Sequence, residues 1–277
     1  MKKTVFLLII SVIIFFAGFV NAGNFGIGVH SGYGIIKYEE QISAFGNKFE
    51  SASTQDMVIF GVSGEYSFPR LQNFYANITT DWVFGLEGVE RWKENNIQIQ
   101  TTDMSVFFQF YDFRFGYKNA IVSTTLSRDN LYYSFYVSGG LDDMHFKRDK
   151  FLWRGTTVTG SITEDIYLWR IGMGTGVGYK AGKWALDGRF AYAYYPIVKV
   201  NNSSLPQFTF NTNGAVLDTG LGLSREVAQN VNFYFGSSYS LLKLEQSDIM
   251  QKGSMQAVYP GSKIEIMAGM VNLTFAF

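Results

Sequence analysis

Apolar and polar positions alternate with a period of two through nearly the whole chain beyond residue 23. In residues 24–36 (NFGIGVHSGYGII), Phe25, Ile27, Val29, Tyr33 and Ile35 share one face and Gly26, Gly28, His30, Gly32 and Gly34 the other. Such alternation predicts strands. It recurs with Val58, Phe60, Val62, Tyr66 and Phe68 against Ser63, Glu65 and Ser67. After a turn at Pro69–Gln72 come Phe74, Ala76, Ile78, Trp82, Phe84 and Leu86 against Asn77, Thr79, Asp81 and Gly85. Over 98–117 the phase slips: Val106, Phe108 and Phe110 are even, while Phe113, Phe115 and Tyr117 are odd. A β-bulge near Tyr111 is the expectation there, with Asp112 and Arg114 facing inward. Further strands are expected over 131–147, 163–179, the stretch from Trp184, 214–225, 231–246 and 263–277, about ten in all. Segment 118–130 reads either as a long turn or as an extra hairpin arm; with it or one of the loops read differently, eight or twelve strands are the alternatives.

Short connections near 69–72, 180–183 and 226–230 alternate with long ones near 39–55, 88–97, 148–162, 199–213 and 247–262. Tight turns at one end and long loops at the other are the organisation of transmembrane barrels. A strand needs about 9–11 residues to cross the hydrocarbon, and these are long enough. In that solvent every backbone N–H and C=O must be paired within the protein, so the sheet has to close. The fold class expected is therefore all-β, a transmembrane antiparallel up-and-down β-barrel. The competing reading of the same alternation is a soluble β-sandwich.

The N-terminus changes the compartment. Lys2 and Lys3 precede an uncharged apolar run, Thr4–Val20, that ends in Val20-Asn21-Ala22. This is a signal-peptide pattern with cleavage expected after Ala22; a retained anchor is the alternative. Residues 1–22 are read as signal and 23–277 as one barrel domain in the outer membrane of a Gram-negative-type bacterium. At the other end, Val271, Leu273, Phe275 and Phe277 alternate up to the last residue. That pattern resembles the terminal strand read by the outer-membrane assembly machinery.

Composition adds exclusions. There is no cysteine, so no disulfide framework is available. Lys and Arg number 23, as do Asp and Glu, and without Lys2 and Lys3 the balance is 21 against 23, a net −2. Nothing points to nucleic acid. Two histidines and no cysteine give a metal little to bind, and no cofactor is expected. The partners expected are outer-membrane lipid and lipopolysaccharide, the assembly machinery, and an extracellular ligand reached through the polar loops 39–55 and 247–262.

The inward positions carry charges of both signs: His30, Glu65, Asp81, Asp112, Arg114, Arg170, Asp187, Arg189 and Asp218. About ten strands enclose a narrow lumen. An ion-paired, hydrogen-bonded filling is the first reading and a polar path or ligand site the second.

Signal, mature length, strand number and five long outer loops together resemble the omptin barrels, and Tyr132–Gly140 (YYSFYVSGG) resembles a strand segment of that family. The resemblance implies an aspartyl-type outer-membrane protease, with an Asp-x-Asp and an Asp-x-His pair on opposite walls at the barrel mouth. This chain has no Asp-x-Asp; its one Asp-x-His is Asp143-Met144-His145, beside Asp142. Asp142, Asp143 and His145 are therefore the catalytic candidates, although alternation puts Asp143 and His145 outward and Asp142 inward. His30-Ser31 is no specific esterase signature for a lipid-modifying barrel, and no Gly-x-Ser-x-Gly elbow occurs. The leading functional reading is a non-enzymatic barrel, structural or surface-interacting, with an omptin-like endopeptidase and a small-solute channel as alternatives.

Overall fold

A computed structural model describes residues 25–44, 47–121 and 131–277; residues 1–24, which include the expected signal segment, 45–46 and 122–130 lie outside the described residues. The strands are β1 (Phe25–Ala44), β2 (Asn47–Ser67), β3 (Phe74–Gly85), β4 (Gly88–Glu94), β5 (Ile97–Ile121), β6 (Leu131–Trp153), β7 (Thr156–Ala181), β8 (Trp184–Asn202), β9 (Thr209–Ala228), β10 (Val231–Leu244), β11 (Met250–Lys252), β12 (Met255–Ala257) and β13 (Gly261–Ala276). Consecutive strands pair antiparallel, and β1 pairs with β13 from Gly26↔Ala276 to Gln41↔Gly261, which closes the sheet. β3 and β4 run end to end between β2 and β5 and form one stave. With the small β11–β12 hairpin set aside, the barrel has ten staves, as the alternation predicts.

Closure leaves no free edge along the membrane-spanning part. Its outer band consists of exposed apolar side chains: Ile27 and Val29 on β1, Phe135 and Val137 on β6, Trp169, Ile171 and Met173 on β7, Phe233 and Phe235 on β10. The band stops at Leu141 on β6 and at Trp169 on β7. Beyond it the outward positions are Asp143, His145, Lys147 and Asp149 on β6 and Tyr167, Asp165 and Thr163 on β7. Val137 is 60% exposed in mid-band. Val137→Arg is expected to cost about 2–4 kcal/mol. Ser134→Arg, on the lumen wall, is expected to cost far less. Urea titrations of the two variants in lipid, read by mobility on unheated gels, check this; equal losses would contradict the assignment of faces.

The supposed long loops are mostly strand. β1 and β2 continue to Ala44 and from Asn47, and β6 and β7 meet at a turn with Arg154 at φ 45° and Gly155 at φ 83°. Two successive positive φ values are the hairpin geometry that suits strand twist, and glycine takes one of them without strain. Asn95 (φ 48°) and Asn96 (φ 69°) do the same between β4 and β5. These hairpins carry the wall well past the apolar band. Of the ambiguous segment 118–130, residues 118–121 belong to β5.

The expected bulge near Tyr111 is not formed. The β5–β6 register runs without a break from Asp103↔Asp149 through Tyr111↔Leu141 to Ile121↔Leu131. What changes along β5 is the interior it faces. Phe108 and Val106 point inward and are buried, whereas Phe113 and Phe115 point outward in the band. Asp112 and Arg114 face inward as expected. Irregular register occurs elsewhere, on β5 at Thr101–Asp103 and, among other strands, at Tyr195–Val198 on β8. Pro196 lies there and cannot donate a ladder hydrogen bond.

Candidate functional site

Three layers fill the barrel from the tight-turn end to the long-hairpin end. The first is a polar cavity of about 510 Å³ within the banded part. Its lining includes His30, Glu65, Asp81, Arg114, Asp187 and Arg189 from the charges expected in the lumen, together with Lys118 and the tyrosines 75, 132, 136 and 234. His30 Nε2 is hydrogen-bonded to Asp81, and the Tyr132 hydroxyl donates to Asp187. Lys118 lies 4.4 Å above the Tyr132 ring, and Arg114 5.0 Å above that of Tyr136. These pairings leave the inner charges partnered largely among themselves, as buried or half-buried charges require.

Glycines make room for the rings. An added Cβ on Gly174 would lie 2.3 Å from the Tyr136 ring, and one on Gly178 2.2 Å from Tyr132. The run Gly172, Gly174, Gly176, Gly178 on β7 is thus the recess that receives two tyrosines from β6.

The second layer is a belt of ions. Arg170 Nη2 lies 3.1 Å from Asp112 and 3.7 Å from Asp142. Arg114 pairs with Asp112 along β5, and the Tyr195 hydroxyl donates to Asp142 at 2.7 Å. Asp218 lines the same space. All nine residues of the expected lumen cluster therefore face the interior: six line the cavity, while Asp112, Arg170 and Asp218 sit at its roof.

The third layer was not expected. Above the belt the barrel is filled by apolar side chains, among them Ile36, Met57, Phe108, Phe146, Leu168 and Phe210, each at most 2% exposed. The ion-paired, hydrogen-bonded filling expected of the lumen is thus confined to the first two layers. Buried rings meet in the third: Tyr38 of β1 and Phe146 of β6 approach across the barrel with centroids 4.8 Å apart, and Phe108 and Phe146, on adjacent strands, are 5.3 Å apart.

Within this apolar layer lies a second charged group. Arg148 of β6 sends Nε to Glu90 Oε2 at 2.8 Å and Nη2 to Glu90 Oε1 at 3.3 Å. The same Nη2 is 3.5 Å from Glu40, and Nη1 is 3.8 Å from Glu164. Tyr38 donates its hydroxyl to Glu40, Ser51 donates to Glu90 at 2.9 Å and Asn202 to Glu164 at 3.2 Å. All four charged side chains are at most 5% exposed. Burial pushes the Glu40 carboxyl up to about 8, against the opposing pull of Arg148. Burial likewise raises Glu164, again against Arg148. Composition and loop-like polarity hid these residues. Their parity did not: Glu40 shares the inward phase of His30, and Arg148 that of Asp142.

The three catalytic candidates do not converge. Asp142 is inward, in the ionic belt. His145 is outward, its Nδ1 2.7 Å from Asp165 on the outer wall, with side chains 41% and 38% exposed. Asp143 faces outward on the same strand, beside Tyr111 and Tyr167. Among the described residues, three further carboxylates approach one another outside the barrel: Glu87, Asp103 and Asp149. Lysines meet them there, Lys150 at 3.0 Å from Glu87 and 2.8 Å from Asp103, and Lys147 at 2.8 Å from Asp149.

No protein-family model matches the chain, and no curated protein matches it in sequence. Solved structures do. The outer membrane protease OmpT from Escherichia coli superposes with a TM-score of 0.68 at 10% identity, over 93% of this chain and 98% of that one. The translocator domain of the autotransporter NalP from Neisseria meningitidis matches with a TM-score of 0.36 at 13% identity, covering 94% and 92% of the two chains. The outer membrane protein OprG from Pseudomonas aeruginosa matches at 0.32 and 10% identity, covering 92% and 97%. The fold is that of an outer-membrane β-barrel, and its architecture is similar to the omptin-like barrels.

Proposed function

We propose that this is a non-enzymatic barrel of the outer membrane, closed across its lumen, that presents its long hairpins to the outside. The observation that carries the reading is the apolar layer around Phe108, Phe146 and Phe210, which lies between the polar cavity and the long-hairpin end. A layer of this kind suits a blind cup opening toward the tight turns better than a route for solutes. The outward His145 and the enclosed Arg148 group also favour it, since an omptin-like water-activating site needs a histidine and carboxylates facing a common space.

On this reading residues 1–22 direct export, the tight turns face the periplasm, and the outer band meets lipid and lipopolysaccharide. The strand ending in Phe275 and Phe277 serves recognition by the assembly machinery.

Reconstitution tests the reading directly. In planar bilayers the purified barrel, confirmed as folded by its heat-modifiable gel mobility, is expected to give no stepwise conductance. A broad peptide panel is expected to remain uncut. Stepwise currents would make it a channel. Cleavage abolished by His145→Ala would make it an endopeptidase.

A further inference from the structure

The Arg148 group has an imbalance of charge. Glu40, Glu90 and Glu164 would contribute −3 if ionised, and Arg148 returns +1, so the enclosed group would stand at −2. Burying two uncompensated charges is costly, and a carboxyl group under that demand takes up a proton instead. The hydrogen bonds distinguish the three acids. Glu90 receives the bidentate guanidinium and Ser51, the pattern of an ionised carboxylate. Glu40 accepts from the neutral hydroxyls of Tyr38 and, at 3.4 Å, Ser51, and Glu164 from the Asn202 amide at 3.2 Å, but they meet the guanidinium only at 3.5 and 3.8 Å, so neither has the bidentate cation that Glu90 has. Glu164 leaves Oε1 without a partner at hydrogen-bond geometry, the Tyr259 hydroxyl being the nearby donor to this carboxyl, which a neutral acid tolerates far better than an anion does.

Strands from around the barrel contribute to the group. β1 supplies Tyr38 and Glu40, β4 Glu90, β6 Arg148 and β7 Glu164. The segment before β13 supplies Tyr259, and β2 and β8 add the neutral Ser51 and Asn202. Among the described residues these six titratable groups are the ones that face it, and Arg148 is the single cation. The group ties five of the long-hairpin segments together on the barrel axis, above the membrane band.

We propose that Glu40 and Glu164 each hold a proton in the closed protein, so that the long-hairpin half of the barrel is a proton-locked cap that loosens when these two carboxyls ionise.

The sign follows from linkage. A carboxyl held protonated in the closed state and ordinary in the open one leaves closure unopposed below about 4.5. Closure weakens as pH rises above that value, and the effect is complete once the closed-state value is passed, which for Glu40 is about 8. The open fraction rises by up to about tenfold per pH unit for each proton released.

The chain has no cysteine, so one engineered thiol reports opening without background. Ser53 is buried at 5% exposure and pairs across the ladder with Tyr38. The labelling rate of Ser53→Cys in the lipid-reconstituted barrel, divided by that of the same thiol in urea at each pH, gives the open fraction. It is expected to climb at least tenfold between pH 5 and pH 8, and to lose that slope when Glu40→Gln and Glu164→Gln are added. A flat profile without the Gln substitutions overturns the lock. So does an equal slope with them, which would place the titration elsewhere. Should the double variant fail the heat-modifiability check, Glu164→Gln alone is expected to lower the slope, and an unchanged slope counts against the proposal.

Discussion

Arg148→Met is expected to loosen the long-hairpin half of the barrel by about 3–5 kcal/mol while leaving the membrane-spanning band closed. The cost arises from what stays behind. Glu90 loses the 2.8 and 3.3 Å bonds to the guanidinium, and Glu40 and Glu164 lose the one nearby cation. Methionine fills much of the space but offers no charge, so Glu90 must also take up a proton or leave the core. Limited proteolysis of the reconstituted protein checks the result: cuts at the hairpins 95–96 and 154–155, with the unheated barrel still migrating fast on a gel. The deficit is expected to grow from pH 5 to pH 8, because ionisation is what the missing cation would have balanced. Adding Glu90→Gln is expected to recover part of it. Hairpins as resistant as those of the parent protein would show that the group contributes nothing to closure.

That result bears on how the barrel is divided. Below the belt of Arg170, Asp112 and Asp142 the outward face is apolar and the inward face polar; above it the two faces exchange character. β1 changes at Ile35 and Ile36, the first outward and the second fully buried inside. β6 changes between Leu141, 43% exposed on the outside, and Met144 and Phe146, buried inside. β7 changes between Leu168 and Trp169, and β10 between Leu241 and Leu242. One physical rule produces both halves: apolar groups avoid water. Near lipid the water is inside the barrel, and beyond the lipid it is outside. The phase change marks the edge of the membrane.

This is also why part of the architecture was legible in sequence and part was not. Alternation within the band gave the outward faces of ten staves and placed His30, Glu65, Asp81, Asp112, Arg114, Arg170, Asp187, Arg189 and Asp218 inside, because a single solvent arrangement holds there. On β5 the same rule, carried past the membrane edge, puts Val106, Phe108 and Phe110 outward and requires a bulge to reconcile them with Phe113 and Phe115; the interior there is apolar instead. The polar stretches 39–55 and 148–162 looked like loops because Glu40, Ser51, Ser53, Gln55 and Arg148 are hydrophilic. Yet all five are buried strand residues. A polar side chain that will be neutralised by a partner five strands away carries no local mark of that partner. Its parity is the one local clue.

Phe108→Ala tests the same cap through packing alone. Phe108 is fully buried, with Phe146 at 5.3 Å and Phe110 at 6.1 Å between ring centroids. Removing the ring loses its transfer energy and leaves a hole that a closed barrel wall cannot collapse to fill. The expected cost is about 3–5 kcal/mol, and Phe108→Leu, which keeps much of the volume, is expected to cost roughly half that or less. As with Arg148→Met, the band is expected to stay closed and the hairpins to become cleavable. The difference lies in pH: no ionisation is altered, so the deficit of Phe108→Ala is expected to match at pH 5 and pH 8. Proteolysis rates of both variants at the two pH values make the comparison. If Phe108→Ala gains the same pH dependence as Arg148→Met, the aromatic layer and the charged group are not separable supports, and closure depends on water reaching Arg148 through the damaged layer. If Phe108→Ala leaves the hairpins as resistant as before, the apolar layer is not what holds the barrel shut.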